Sequence, residues 1–177
     1  MLYRMAITYN AKNYIIILRE GVKLLQDMKT QDYNSWRIKN INIIPDISGQ
    51  DFSGKDLSGV YLNGTQCVGT NLSCCNLSKA NFVQADLSMA NLEGANLSDA
   101  LLMWCQMKEC NLINTDLTRT NFMYANLEDS NLTNSKMSKT IFVYANLRNT
   151  KLTDIDKNSA YLKYARLQGT DDDYYCI

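Results

Sequence analysis

The sequence predicts a solenoid, a rod of short units wound around one continuous core. Three observations predict it: an apolar residue recurs at every fifth position from Ile47 to Leu152, a small residue usually stands two positions before it, and Asp or Asn usually stands one position before it. A five-residue period fits neither the 3.6-residue period of a helix nor the two-residue period of a strand. The chain must therefore turn once per unit, burying one large and one small side chain each time.

We call the central apolar residue of each unit its centre. From Pro45 onward 22 consecutive centres are apolar, and the register continues past Lys157 to Leu162 and Leu167, so residues 45–169 form 25 units. Asp or Asn fills 16 of the 25 positions before a centre, where its side chain is suited to hydrogen-bond the backbone of a turn. Five early glycines, each two positions after a centre, predict a positive φ there: Gly49, Gly54, Gly59, Gly64 and Gly69.

Units such as 80–84 (Ala-Asn-Phe-Val-Gln), 90–94 (Ala-Asn-Leu-Glu-Gly) and 95–99 (Ala-Asn-Leu-Ser-Asp) closely resemble the pentapeptide-repeat family, and the resemblance covers about 125 of 177 residues. It implies an all-β solenoid, a right-handed quadrilateral β-helix with four units per coil. Adjacent coils are then expected about 4.8 Å apart, with side chains 20 residues apart stacked directly. Some six coils would give a rod about 30 Å long.

Residues 1–44 do not repeat, and they are predicted to form an N-terminal α-helical cap. A second short helix is expected around Asn34, Trp36 and Arg37. A hydrophobic helix, then these residues, then the first repeats is an order similar to the leader before many pentapeptide-repeat domains. A solenoid exposes the core of its first coil unless something covers it, which favours a cap over the alternative of a partner-docking segment. The first helix is predicted from apolar residues at three- and four-residue steps: Tyr14, Ile17, Leu18, Val22, Leu25 and Met28.

The repeats span residues 45–169, and their C-terminal end is predicted to be less regular. Lys157 occupies a centre, so the last coil is expected to loosen there or to release this side chain to solvent. Residues 170–177 are predicted to be an acidic C-terminal tail that discourages end-to-end growth. The alternative is that the last coil pairs with a second copy, as several members of the resembled family do.

Composition and charge exclude several functional classes. Lys plus Arg number 18 and Asp plus Glu number 18, so the net charge is zero and direct nucleic-acid binding is not expected. The absence of His removes the usual general base and most zinc sites. We find no catalytic motif, so the sequence predicts no enzyme, no catalytic residues, no cofactor and no metal site.

The longest strictly apolar run near the N-terminus, residues 15–18, is too short for a secretory signal or a membrane span. The sequence therefore predicts a cytoplasmic protein whose six cysteines are reduced. Cys74 and Cys176 are the two candidate reactive thiols. The other four are predicted to be small inward fillers: Cys67, Cys75, Cys105 and Cys110.

One face of the predicted tube is apolar. It comprises the units 60–64, 80–84, 100–104, 120–124, 140–144 and 160–164, and we call it the aromatic face. The other three predicted faces are polar with interspersed charges. The candidate interaction residues on the aromatic face are Tyr61, Leu101, Met103, Trp104, Met123, Tyr124, Ile141, Val143, Tyr144, Tyr161 and Tyr164.

Three interpretations of this face remain open. It binds a protein partner or a second copy of the chain, it is covered by the chain's own N-terminal helix, or its aromatic side chains only stabilise neighbouring coils. A platform for stacking nucleic-acid bases is disfavoured because Lys163 is the only basic residue among these columns.

The sequence thus favours a non-catalytic structural or protein-interaction scaffold. The alternative comes from the family resemblance: some members mimic B-DNA, bind DNA gyrase and confer quinolone resistance. Such mimicry needs a strongly negative surface, whereas residues 45–170 hold 12 acidic and 11 basic residues, so a topoisomerase partner is disfavoured.

Overall fold

The computed structural model describes residues 19–27, 30–156 and 159–170 as two helices followed by a tube of short coils. Helix α1 covers residues 19–26 and helix α2 covers Thr30–Lys39. From Asp46 to Arg166, parallel bridges join backbone positions 20 residues apart. Within the described residues these bridges are single-residue contacts rather than longer strands. The predicted 20-residue coil of four units is therefore confirmed.

Adjacent coils are joined by a repeating pair of backbone hydrogen bonds. The Leu62 N–H donates to the Asn81 carbonyl at 2.7 Å, and the Asn81 N–H donates back to the Val60 carbonyl at 2.8 Å. A further bond closes the turn within most units, as where the Ala85 N–H donates to the Phe82 carbonyl at 2.9 Å. Most units of the interior coils thus meet their backbone hydrogen-bonding demand through their own turn and the two neighbouring coils.

The position two residues after each apolar centre has a positive φ. The five early glycines adopt φ values of 62° to 69°, as predicted. Among the described residues, seventeen non-glycine residues also have positive φ, and these include Lys79, Trp104 and Tyr164. Since side chains with a Cβ disfavour this region, the bonds between coils must impose it on each unit. The combination of a closing bond and positive φ at the third turn residue is typical of a type II turn.

The centres form the core of the tube. All 22 from Ile47 to Leu152 are at most 4% exposed, and Leu162 and Leu167 pack against them while partly buried. Phe122 and Phe142 stack inside the tube with centroids 5.0 Å apart. Burial of each large centre stabilises the fold by roughly 1.5–3 kcal/mol, so the continuous column is the main source of stability.

The small inward position has a second role that the sequence pattern did not reveal. The Cys105 thiol donates to the Phe82 carbonyl at 2.7 Å, and the Thr120 hydroxyl donates to the Leu97 carbonyl at 2.7 Å. Each donor lies 23 residues after the centre that accepts its hydrogen. Because a carbonyl has two lone pairs, these centres can also accept the turn bond of their own unit. Ser, Thr and Cys are therefore compatible with a buried position that Ala fills elsewhere.

The Asp or Asn before a centre stabilises the turn, as predicted. The Asp51 carboxylate accepts the Ser53 N–H at 2.9 Å, and the Asn81 side-chain oxygen accepts the Val83 N–H at 3.1 Å. Asn side chains also bond between coils, since Asn146 Nδ2 donates to Asn126 Oδ1 at 2.9 Å. The same residue type thus holds its own turn and contacts the coil before it.

Helix α2 contacts the open edge of the first coil. In the interior, groups equivalent to the Tyr61 N–H and the Asn63 carbonyl pair with the preceding coil. Here the Asn34 side-chain oxygen accepts the Tyr61 N–H at 2.8 Å, and Arg37 Nη2 donates to the Asn63 carbonyl at 3.0 Å. Two side chains of α2 therefore take the hydrogen-bonding places that the preceding coil takes in the interior of the tube.

Apolar side chains from both helices join the core at this end. Tyr33, Trp36 and Leu25 are at most 6% exposed and belong to the same core cluster as the centres. Burial raises the pKa of Tyr33, and the nearby Arg37 guanidinium partly opposes this. Gly21 of α1 lies so close to the Trp36 ring that a Cβ at this position would overlap it.

The first coil departs from the small-residue rule where it faces the helices. Gln50 and Lys55 stand at inward positions that hold Ala, Ser, Thr or Cys in the interior coils. The Lys55 ammonium donates to the Gln26 carbonyl at 2.8 Å, and Gln26 Nε2 donates to Gln50 Oε1 at 3.1 Å. Longer side chains fit here because they face helix α1, whose Gln26 they bond, rather than a coil of the described tube.

The last coil loses its regularity near residue 157. The Arg119 N–H donates to the Ser138 carbonyl in the regular register, whereas the equivalent Lys139 N–H donates to the Ser159 carbonyl, a step beyond that register. The regular pairing resumes with the bridge between Ile141 and Tyr161. Lys157 itself, Met28, residues 1–18 and the predicted tail from residue 171 lie outside the described residues. Among the helices that the structure describes, none has the length and apolar character needed to span a membrane.

Candidate interaction face

Four aromatic side chains form a stacked ladder along the aromatic face. Ring centroids are 5.6 Å apart for Trp104 and Tyr124, 5.0 Å for Tyr124 and Tyr144, and 4.8 Å for Tyr144 and Tyr164. The ring planes of the three pairs differ by 3°, 1° and 18°. The predicted stacking of side chains one coil apart is confirmed, and we call these four side chains the aromatic ladder.

The aromatic ladder is ordered by stacking yet remains in contact with solvent. Its members are 45% to 58% exposed. Tyr124 and Tyr144 each have an aromatic neighbour on both sides, so their ring faces are directed at each other and their edges face outward. Aromatic pairs of this kind contribute about 0.5–1.5 kcal/mol each beyond simple burial. The ladder is therefore a preorganised ridge of ring edges.

The backbone beneath the ladder is strained. All four residues lie at the positive-φ turn position, with φ from 58° to 62°. Bulky side chains are uncommon in this region. Bonds between coils hold the conformation, since the Trp104 N–H donates to the Met123 carbonyl at 3.1 Å and the Tyr124 N–H to the Val143 carbonyl at 3.2 Å.

The other candidate residues lie beside the ladder on the same face. Tyr61, Leu101 and Tyr161 are 41%, 39% and 56% exposed. A lower apolar strip accompanies them, formed by the partly buried side chains of Met103, Met123, Ile141 and Val143. Lys163 is the only charged residue in the six units of this face, and its ammonium lies 5.0 Å from the centroid of the Tyr164 ring, within cation–π range.

The described helices meet the aromatic face at its first coil. Asn34 donates to the Gly59 carbonyl at 2.9 Å and accepts from Tyr61, while Arg37 reaches Asn63. The aromatic ladder begins two coils further along, at Trp104, and is about half exposed. The first part of the predicted amphipathic helix, residues 1–18, lies outside the described residues, so covering by that segment stays a prediction.

Sequence reasoning missed three exposed isoleucines near the cap. Ile38, Ile41 and Ile44 are 56% to 68% exposed in α2 and the turn that follows it. They recur at every third position, a spacing that was available in the sequence but lies outside the five-residue register. Sequence reasoning also missed the bonds of Asn34 and Arg37 to the first coil, because their partners are backbone atoms that lie far along the sequence from α2.

The other three faces of the tube are mostly polar, and some of their charges are paired. Arg119 donates to both carboxylate oxygens of Asp99 at 2.6 Å, and this contact holds the pKa of Asp99 below its ordinary value. Lys108 lies 3.5 Å from the Asp129 carboxylate. Where these acids stand opposite a base, the negative potential is locally cancelled.

The cysteines lie where the sequence predicted, as far as they are described. Cys67, Cys75, Cys105 and Cys110 are buried and Cys74 is exposed, while Cys176 lies outside the described residues. Burial raises the pKa of both Cys105 and Cys110 to about 12, and it also raises the pKa of Cys67 and Cys75. In the part of the chain that the structure describes, no group of three or more acidic or cysteine side chains is placed to hold a metal ion.

Comparison with family models identifies the repeat. The model described as pentapeptide repeats matches residues 46–77, 62–99, 100–138 and 140–171. No curated protein matches the sequence.

Solved structures with related repeats were also found. One is full-length QnrB1, a plasmid-mediated fluoroquinolone resistance protein, with 22% identity, 73% of this chain and 84% of that chain covered, and a TM-score of 0.40. Another is HetL, a protein involved in heterocyst differentiation regulation in the cyanobacterium Nostoc sp. strain PCC 7120, with 20% identity, coverage of 71% and 76%, and a TM-score of 0.36. A pentapeptide repeat protein from the Arabidopsis thaliana thylakoid lumen has 30% identity, coverage of 63% and 67%, and a TM-score of 0.24. These values support no transfer of function.

Proposed function

Because the chain belongs to the pentapeptide-repeat family, whose fold is a right-handed quadrilateral β-helix and whose members are generally non-enzymatic scaffolds, we propose that it is an interaction scaffold whose aromatic face binds protein. Residues 45–169 provide the rigid rod in this proposal. Residues 1–44 cap its first coil, and residues 170–177 are a solvated acidic tail.

The aromatic ladder is the observation that carries the proposal. Trp, Tyr and Met are enriched in the cores of protein interfaces, and a contiguous exposed apolar patch usually marks a contact surface. Stacking fixes the ladder side chains before any partner arrives, which lowers the entropy lost on binding. The same stacking disfavours a base-binding platform, because the faces of Tyr124 and Tyr144 are already directed at neighbouring rings.

The cap is supported by the bonds at the first coil. Asn34 and Arg37 bond to backbone groups that pair with a preceding coil elsewhere in the tube. Tyr33 and Trp36 are buried in the same core cluster as the first centres. The charge pattern gives no comparable support to DNA mimicry, since the Asp99 carboxylate is paired with Arg119.

The proposal is tested by replacing Trp104, Tyr124 and Tyr144 together with Asn. Asn already occupies the same turn position with similar φ at Asn114 and Asn134, so the coil should remain folded. We expect the variant to lose self-association or a protein that co-purifies with the wild type from native cells, while circular dichroism is unchanged.

Met89→Asn is the matched control. Met89 is an exposed apolar side chain at the same turn position on a neighbouring face. We expect it to behave as the wild type in sizing and co-purification. If the triple variant also matches the wild type in both measurements, the aromatic face is only structural and the proposal is wrong.

A further inference from the structure

We propose that the aromatic face binds an unbranched fatty acid, with its carboxylate at Lys163 and its alkyl chain running along the rod toward Met103. The inference goes beyond the proposed function, because it assigns a small-molecule ligand to this face. It is carried by one column of side chains, which we call the middle column and whose members lie one coil apart: Val83, Met103, Met123, Val143 and Lys163.

The polarity of the face changes along the rod. The unit 100–104 presents Leu, Met and Trp side chains, whereas the unit 160–164 presents Tyr161, Lys163 and Tyr164. Both of these tyrosines are more than half exposed, so their hydroxyls can donate to a ligand beside the ammonium. Apolar side chains of the middle column thus lead to a group of hydrogen-bond donors. An amphiphile with an anionic head has the same order of polarity.

Lys163 supplies the charge that selects a carboxylate. It is exposed, and it is the only charged residue in the six units of the face. Its ammonium lies 5.0 Å from the centroid of the Tyr164 ring, and neither of the two ion pairs among the described residues includes it. A carboxylate here gains a charge-assisted hydrogen bond, whereas a cationic head would be repelled.

The middle column has the shape and length of a single alkyl chain. Met103, Met123 and Val143 are partly buried, while the aromatic ladder on one side and Leu101 on the other are more exposed. Because equivalent residues of successive coils stack, the column is straight. It is about 15 Å long from Met103 to Lys163, which is the length of an extended chain of about twelve carbons. Dodecanoate is therefore the matching probe.

The position of the column on the outer surface limits the expected affinity. One side of the bound chain stays in solvent, so the hydrophobic contribution is smaller than in a closed pocket. We expect dodecanoate to dissociate with a Kd between about 10 µM and about 1 mM. Hexanoate, which has the same head and a shorter chain, should bind at least about tenfold more weakly.

Titration calorimetry of the full chain tests the role of the head group. The measurement uses dodecanoate below its micelle concentration at about pH 8, where the carboxylate and the ammonium are both ionised. Lys163→Gln should weaken binding at least about fivefold, and Lys163→Glu should lose dodecanoate and bind dodecyltrimethylammonium instead. Lys151→Gln, at an exposed lysine on the opposite face, is the matched control and should bind as the wild type does.

A second pair of variants tests the contact with the alkyl chain. Val143→Glu places a carboxylate in the middle column one coil before Lys163, so dodecanoate binding should weaken at least about tenfold. The same unit position is occupied by Glu93 elsewhere in the tube, so the coil should remain folded, which circular dichroism checks. Thr133→Glu, at the equivalent position on the opposite face, should leave binding unchanged.

Tryptophan fluorescence tests the direction of the bound chain. Trp104 lies at the Met103 end of the column and is 49% exposed, whereas the other tryptophan, Trp36, is buried at the cap. Dodecanoate that carries bromine on its terminal carbon should therefore quench Trp104 more strongly than dodecanoate that carries bromine beside the carboxylate.

Three results would overturn the inference: no dodecanoate binding at about 1 mM, unchanged affinity in the Lys163 variants, or stronger quenching by the acid that is brominated beside its carboxylate. Binding to phosphatidylserine vesicles without binding of dodecanoate would also overturn it, in favour of a membrane surface. The proposed function is scored separately, by sizing and co-purification of the Trp104, Tyr124 and Tyr144 variant, so the two failures are distinguishable.

Discussion

At the scale of single residues, the side chain before each centre determines how its turn is held. Backbone N–H donors of Ser48, Ser53 and Ser58 hold the pKa values of Asp46, Asp51 and Asp56 below their ordinary range. A carboxylate with a lowered folded pKa contributes stability that is complete above its unfolded pKa of about 3.9 and is lost as the pH falls through the folded value. These turns therefore weaken in acid.

We predict that the melting temperature is nearly constant from about pH 7 to pH 5 and falls below about pH 4. Replacing Asp46, Asp51 and Asp56 with Asn should reduce this fall, because Asn keeps an oxygen acceptor that does not titrate. The reverse change Asn81→Asp should increase it, since the Asn81 oxygen also accepts a turn N–H. Circular dichroism melts across this pH range provide the measurement, and an unchanged acid slope in the Asn variant would contradict the prediction.

Residue-level features were only partly predictable from sequence. Positive φ was predictable at Gly49 and Gly54 because glycine at a fixed register position is a local signal. At Trp104 and Tyr124 the residue type argues against positive φ, and only the bonds from neighbouring coils impose it. The donation from Cys105 to the Phe82 carbonyl was likewise hidden, since it depends on how far one coil is displaced from the next.

At the scale of elements, helices α1 and α2 are joined through the contact between Gly21 and Trp36. Gly21→Ala should destabilise the protein by about 1–3 kcal/mol, because the added methyl overlaps a buried ring. Helix propensity alone predicts the opposite, since Ala is favoured over Gly by about 1 kcal/mol. The sign of the change in urea-induced unfolding therefore decides which effect dominates.

Lys23→Ala is the control for this element. Lys23 is exposed on the same helix, and its replacement should change the free energy of unfolding by less than about 0.5 kcal/mol. A stabilised Gly21→Ala protein would mean that α1 does not pack on Trp36. The second helix was expected around Asn34, Trp36 and Arg37 from the resemblance to the family's leader, whereas the role of Gly21 was not predictable, because it depends on a ring that belongs to the other helix.

At the scale of the whole molecule, the continuous core of the tube shields the buried thiols from reagents in solvent. The pKa values of Cys105 and Cys110 are raised to about 12, and both side chains are hydrogen-bonded inside consecutive units. Because the thiolate is the reactive form, these groups should not react with a disulfide reagent at pH 8 until the coils separate. The exposed Cys74 should react in the native state.

With Cys176→Ser as background, we predict that about one thiol per chain reacts rapidly with Ellman's reagent and that the four buried thiols react only in denaturant. The transition should coincide with unfolding measured by circular dichroism, because the centres form one continuous core. Reaction of Cys105 or Cys110 under native conditions would show that the coils open locally. A Cys74→Ser variant that loses the rapid reaction assigns it.

The fixed circuit of the backbone constrains how such a rod can change length. Adding or removing one complete circuit leaves every downstream side chain on its own side, so the row of rings would lengthen or shorten by a single rung. Adding or removing a single unit would instead rotate everything beyond it by a quarter of a circuit. If the change fell between Trp104 and Tyr124, the indole of Trp104 would lie on one face of the tube and the phenol rings of the three tyrosines on the adjacent face.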